Sequence, residues 1–185
     1  MTVPAPSPTR LAPEYAQLLT QQDYSPRPRI EGVVLKDLRR FTEDGGEFQE
    51  LARLDEAGGI PEFPGFKVRQ VNYSVMEPGV IKAFHLHLQQ EDVWFVPPGG
   101  KLVVGLLDCR EGSPTKGVSM RLALGDGKSQ LLYIPRGVAH GAANLTNRPA
   151  AVMYFVNQHF SPSPTDENRL PFDLLGKEFW TILPG

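Results

Sequence analysis

The chain has 185 residues, with 19 Lys and Arg against 21 Asp and Glu, a formal charge of −2. No basic surplus points to a phosphate backbone, so a nucleic-acid partner is not expected. Gly and Pro number 18 each, about a fifth of the chain together, which breaks up long helices and excludes bundles and coiled coils. The length suits one core and one domain with appendages.

Residues 1–30 carry Pro at positions 4, 6, 8, 13, 26 and 28 and form an arm in which only Pro13 to Gln22 can make a short helix. A barrel is expected over 31–160. Its strands are the short runs Phe48–Leu54, Lys67–Val75, Gly79–His87, Asp92–Val96, Lys101–Asp108, Val118–Leu124, Gln130–Ile134, Ala139–Leu145 and Ala150–Asn157. Between them lie turn sequences such as Glu-Pro-Gly at 77–79, Pro-Pro-Gly-Gly at 97–100 and Gly-Asp-Gly at 125–127. Evenly spaced strands joined in this way predict an all-β sandwich or barrel. The tail, 161–185, is again Pro-rich, but Phe172, Leu174, Leu175, Phe179 and Trp180 are apolar enough to pack back on the barrel or on a second subunit. No window approaches the ~18 apolar residues of a spanning helix. The N-terminus has no secretory pattern and the single Cys109 permits no intrachain disulfide, so a cytoplasmic protein without a membrane partner is expected.

The four His are His85, His87, His140 and His159. In Gly79-Val-Ile-Lys-Ala-Phe-His85-Leu-His87-Leu-Gln-Gln-Glu91, His85 and His87 share one face of a strand of period two, and Glu91 joins them if the strand is regular. In Pro135-Arg-Gly137-Val-Ala-His140-Gly-Ala-Ala-Asn144 a Pro-x-Gly turn leads into a strand carrying a third ring. Three imidazoles and a carboxylate suit a divalent transition metal.

These two stretches resemble the paired motifs of the cupins, which implies a jelly-roll barrel. The first matches at Gly79, His85, His87, Glu91 and Gly99, with one extra residue before the last Gly; the second matches at Pro135, Gly137, His140 and Asn144, with Ser129 where a Gly is expected. From about Phe41 to Leu183 the chain further resembles the dTDP-4-dehydrorhamnose 3,5-epimerase family. The resemblance is carried by Gln70-Val-Asn72-Tyr-Ser74, Gly79 to His85, Leu107-Asp108-Cys-Arg110-Glu-Gly-Ser113-Pro114-Thr115, Ile134 to Gly141, and Tyr154.

What that implies is an epimerase or isomerase acting on a carbohydrate or nucleotide sugar, as a homodimer. It implies His85 as catalytic base, with His140 and Tyr154 assisting and Lys82 beside them. Proton abstraction next to a sugar ketone needs a base, positive charge near the enolate oxygen, and no cofactor. Phe48, Glu50, Asn72 and His87 are the implied substrate contacts, His87 doubling as acid or base as in the related 3,4-ketoisomerases.

Several positions depart from the family. Lys82 stands where the family has Arg, and by strict alternation it faces away from His85 unless a bulge intervenes. Gly45 replaces an Arg in the segment Glu43 to Glu50, which holds the diphosphate in the family. The family's pocket Lys aligns with Val93, and its late Asp partner for the catalytic His has no match. Two alternatives stay open at this point. One is a metal-dependent isomerase or dioxygenase with Mn, Fe, Ni or Zn on His85, His87, Glu91 and His140; the other is a sugar-binding module without chemistry.

Overall fold

A computed structural model describes residues 8–183. The arm holds only one helical turn, α1 (Pro13–Ala16), shorter than the expected Pro13–Gln22 because it buries no residue that could hold a longer helix in place. The strands are β1 (Val34–Asp37), β2 (Phe41–Glu43), β3 (Gly46–Phe48), β4 (Gln70–Met76), β5 (Ile81–Leu86), β6 (Asp92–Phe95), β7 (Lys101–Asp108), β8 (Ser119–Gly125), β9 (Gln130–Ile134), β10 (Val138–Ala143), β11 (Ala150–Val156) and β12 (Asn168–Arg169).

Two five-stranded antiparallel sheets face each other, in the orders β1-β9-β6-β11-β4 and β12-β5-β10-β7-β8. β2 and β3 form a separate hairpin. The expected strand over Phe48–Leu54 does not form. Glu43 pairs with Gly46 across Asp44-Gly45, a two-residue loop of the type that closes tight hairpins, so the chain turns back before residue 48. β1 escaped expectation because all four of its residues are exposed and it shows no alternation.

Side-chain phase builds three apolar layers. Leu102, Val104 and Leu106 of β7 point inward with Leu124, Leu132 and Ile134 and fill one end of the sandwich. On the outside of the first sheet, Ile60, Phe63 and Phe66 of the 49–69 loop cover Val93, Phe95, Leu131 and Phe155. The tail covers the second sheet, with Trp180 and Phe179 against Phe84 and Ala139. Each such fully buried large side chain contributes roughly 1.5–3 kcal/mol. Arg121 anchors the tail by donating to the carbonyls of Phe179 at 2.9 Å and Thr181 at 2.6 Å. Phe172 and Leu174 stay largely exposed.

β4 runs against the usual rule. Gln70, Asn72 and Ser74 face inward while Val71, Tyr73 and Val75 face solvent, about half exposed. A polar inner face marks where the apolar filling stops and a cavity begins.

Asp108, at the end of β7, is only 2% exposed. It accepts from the Arg110 backbone N–H at 3.0 Å, Arg110 Nε at 2.9 Å and Nη2 at 2.8 Å, and from Ser113 Oγ and Thr115 Oγ1, both at 2.6 Å. The Arg110 guanidinium, then Ser113 and Thr115, hold its carboxyl well below the usual carboxylate range. The Arg-x-x-Ser-Pro-Thr run is thus a knot around one buried charge.

Candidate active site

A cavity of about 210 Å³ lies between the sheets, lined by Ser74 and Met76 of β4, Lys82 and His85 of β5, His87, Asp92 and Trp94 of β6, His140 of β10, Tyr154 of β11, and Glu167 and Arg169 from the tail. It gathers His85, His87, His140, Tyr154 and Lys82 as candidates from the sequence. The strand phase explains most of this placement, and a bulge explains Lys82. His140 pairs with His85, but Ala142 pairs with Lys82, so two residues of β5, Ala83 and Phe84, stand against one of β10, Gly141. Lys82 and His85 therefore both line the cavity, and Lys82 Nζ donates to Ser74 Oγ at 3.0 Å. The bulge presses Ala83 onto Gly141, where any Cβ would overlap the Ala83 side chain. At the Pro-x-Gly turn, Gly137 has φ of +76° and donates its N–H to the His87 carbonyl at 2.7 Å, tying the two motifs together.

The three rings sit in one group. The His85 and His140 rings stack with centroids 5.9 Å apart at 9°, and His87 and His140 lie 5.2 Å apart. His85 Nε2 accepts from Arg169 Nη1 at 2.8 Å, and its Nδ1 faces Glu167 Oε2 at 3.5 Å. Burial, and then the neighbouring His140, Arg169, His87 and Lys82, push the His85 pKa down to about 3. The ring is thus neutral at pH 7, as a base must be. His140 is also held below the ordinary value by burial, with Asp92 opposing.

Glu91 does not line the cavity. β6 begins at Asp92, and its phase sends Asp92 and Trp94 inward and Val93 outward into the loop-covered layer. Glu91 instead meets Arg136 Nε at 3.4 Å and Asn157 Nδ2 at 3.3 Å. Strand β6 thus presents the carboxyl group of Asp92 to the cavity, one residue before Val93, the position that aligns with the family's pocket Lys. Asp92 accepts from Gln90 Nε2 at 2.8 Å and Trp94 Nε1 at 3.0 Å.

Tyr154 lies on the sheet opposite His85, and burial, then Asp92 and Glu167, raise its pKa, so it keeps its proton. Asn72 shares the inward face of β4 with Ser74, pairs with Tyr154 across the strands, and accepts from Gln70 Nε2 at 2.8 Å. Phe48 and Glu50 are not brought in. They border a separate surface depression with Arg39 and Glu62, and Glu50 pairs with Arg53 at 2.9 Å. Asn144 serves the fold: its Nδ2 donates to the carbonyls of Met76 and Arg148, both at 2.8 Å.

Sequence reasoning missed the tail's share. Asp166 accepts from the backbone N–H groups of Leu88, Gln89 and Gln90, each at 2.9 Å, while its carbonyl accepts from His87 Nδ1 at 2.8 Å. Burial raises the Asp166 pKa, but these N–H bonds outweigh it and the net shift is downward. β12 then pairs Arg169 with His85. Glu167 thereby supplies the carboxylate neighbour of His85 for which the sequence offered no match. The polar run Asp166-Glu-Asn-Arg169 inside a Pro-rich tail was the available signal.

The sequence profile of the family described as dTDP-4-dehydrorhamnose 3,5-epimerase matches residues 27–173. The chain belongs to this family. It is 43% identical over 144 residues to the spore coat polysaccharide biosynthesis protein SpsL of Bacillus subtilis, covering 78% of this chain and 91% of that protein. A probable low-salt glycan biosynthesis epimerase of Haloferax volcanii is 31% identical over 148 residues, covering 79% and 90%. Among solved structures, a dTDP sugar isomerase from Desulfovibrio desulfuricans superposes with a TM-score of 0.68 at 29% identity, over 83% of this chain and 91% of that one. The all-β sandwich of this family member is the cupin jelly roll expected from the two motifs. No helix among the described residues is long and apolar enough to cross a membrane.

Proposed function

We propose that the protein is a nucleotide-sugar epimerase that inverts a carbon next to a sugar ketone, with a dTDP-linked 4-keto-6-deoxyhexose as the substrate class. The observation that carries this is the pairing of a neutral His85 on one sheet with a protonated Tyr154 on the other, both lining one cavity of a family member. His85 takes the proton from the carbon beside the ketone, the electron pair moves onto the ketone oxygen, and a proton returns from the opposite face, where Tyr154 stands. Before that, the sugar displaces Arg169 from the His85 Nε2 lone pair, and Glu167 on Nδ1 then steadies the imidazolium that forms. Lys82 and Arg169 are the two Lys or Arg cations on the cavity wall and attract the diphosphate and the developing enolate. These proton transfers draw on no organic cofactor.

Family membership favours this reading over a metal-dependent dioxygenase and over a module without chemistry. The apolar outer face of β4, with Val71, Tyr73 and Val75, supports a homodimer that covers it. Pairing would also give Phe48 and Glu50, which miss their own cavity, a route to the partner's. A cytoplasmic location belongs to the same proposal, in keeping with the single Cys109. The test is proton NMR of the purified protein with the dTDP-linked 4-keto-6-deoxyhexose. Appearance of the epimeric sugar is expected; an unchanged spectrum with dTDP-, UDP- and GDP-linked forms alike would overturn the proposal.

A further inference from the structure

On the cavity floor, a ring nitrogen from His87, one from His140 and a carboxylate oxygen of Asp92 all lie within 4.8 Å of one another, and all three side chains are buried. The outer nitrogen of each ring is already occupied: His87 Nδ1 meets the Asp166 carbonyl at 2.8 Å and His140 Nδ1 the Val138 carbonyl at 3.0 Å. A carbonyl only accepts, so each ring holds a proton on Nδ1 and leaves Nε2 as the nitrogen that can meet an ion, the arrangement by which metal-ligating histidines are held. His140 Nε2 faces Asp92 Oδ2 at 3.5 Å, longer than an ordinary N–H···O bond. The Asp92 carboxylate is fixed in plane by Gln90 on Oδ1 and Trp94 on Oδ2. His85 stands outside the set, because its Nε2 is taken by Arg169.

We propose that His87, Asp92 and His140 form a binding site for one divalent transition metal ion. Two imidazoles and one carboxylate are the donor set that holds Fe(II), Mn(II), Co(II) or Zn(II) and leaves further positions open, here toward the cavity. The site differs from the one the motif spacing suggests in both membership and carboxylate. An ion there answers the charge anomaly of β6, which offers Asp92 to the cavity and turns Val93 away. Its role, positive charge near the oxygen of the reacting ketone, rests on the proposed epimerase chemistry; its binding does not.

Chelator-treated protein titrated with cobalt chloride, without any sugar nucleotide, tests the site through the visible d–d absorption and the unfolding temperature. Saturation at one cobalt per chain with a raised Tm is expected. His87→Gln and Asp92→Asn should each weaken binding by at least about tenfold, while Glu91→Gln and His159→Gln bind as the wild type does. Melting curves of the metal-free variants check folding, and His87→Gln, the milder change, carries the test if Asp92→Asn does not fold. Absence of d–d bands up to millimolar cobalt would overturn the proposal and leave a proton shared between His140 and Asp92 as the occupant. Bands that survive both substitutions would overturn it equally. Cobalt binding without epimerisation would contradict the proposed reaction and leave the metal site standing, so the two failures are distinct.

Discussion

Asp108 and Asp92 are both buried carboxylates in the same sandwich, 2% and 3% exposed, yet they are surrounded in opposite ways. Asp108 receives five hydrogen bonds, three of them from Arg110, and lies outside the lining of the cavity between the sheets. Asp92 receives two, and its remaining neighbour is a histidine nitrogen at 3.5 Å beside open volume. A buried charge that is fully bonded within a stretch of adjacent residues is committed to the fold, because losing its partners is costly. One left short of partners beside a cavity is available for chemistry. The most distinctive stretch of the sequence, Arg110 to Thr115, belongs to the first kind.

Substitutions can break that contrast, and the largest effect is expected at the fully bonded site. Asp108→Asn puts an NH2 group in place of an accepting carboxylate oxygen among N–H and O–H donors, beside the part-exposed Arg110 guanidinium, and should cost about 3 kcal/mol of stability by urea unfolding. A loss under about 1 kcal/mol would mean that the knot is ornamental. Tyr154→Phe keeps the ring and removes the proton donor, so turnover should fall by about 10²-fold with the unfolding midpoint unchanged. A parallel fall in Tm would assign Tyr154 to the core instead.

A smaller, diagnostic change is expected at Arg169→Gln. Because burial is the first cause of the depressed His85 pKa and Arg169 only one of several charges behind it, the NMR titration of His85 should move up from about 3 without reaching 6.5. No movement would show that Arg169 does not sit on the ring in solution. The pH dependence of stability follows with the same sign. Between about 3 and 6.5 the unfolded chain binds a proton on His85 that the folded chain refuses, so stability falls as pH drops through that window. Asp108, held below 3.8, adds its own loss only as pH falls beneath that value. By raising the lower limit of that window, Arg169→Gln should flatten the curve just above pH 3, while the fall that begins near 6.5 and the Asp108 limb stay in place.

The barrel and three of its cavity rings were readable because they depend on period-two alternation and on turns that only Gly and Pro make well. Alternation also carried the one informative error. Glu91 faces inward only if the strand runs on regularly from His85 through Leu88-Gln-Gln, but the chain leaves β5 after Leu86, and a loop held by Asp166 resets the phase so that Asp92 faces in. Lys82 was legible only as a condition, since a bulge is a property of two paired strands and one sequence shows neither pairing nor register. Glu167 and Arg169 lie some eighty residues from His85 and reach it through a two-residue strand with both residues exposed, a segment with no apolar pattern to announce it.

The central claim is that His85 is the base of this cavity, and hydrogen exchange into substrate tests it most directly. The wild-type protein and His85→Asn are each incubated in D2O with the dTDP-linked 4-keto-6-deoxyhexose, and deuterium beside the ketone is read by NMR. Rapid incorporation by the wild type and a rate about 10²–10⁴-fold lower for a folded His85→Asn are predicted. Incorporation by His85→Asn at the wild-type rate would contradict the account and move the base elsewhere in the cavity.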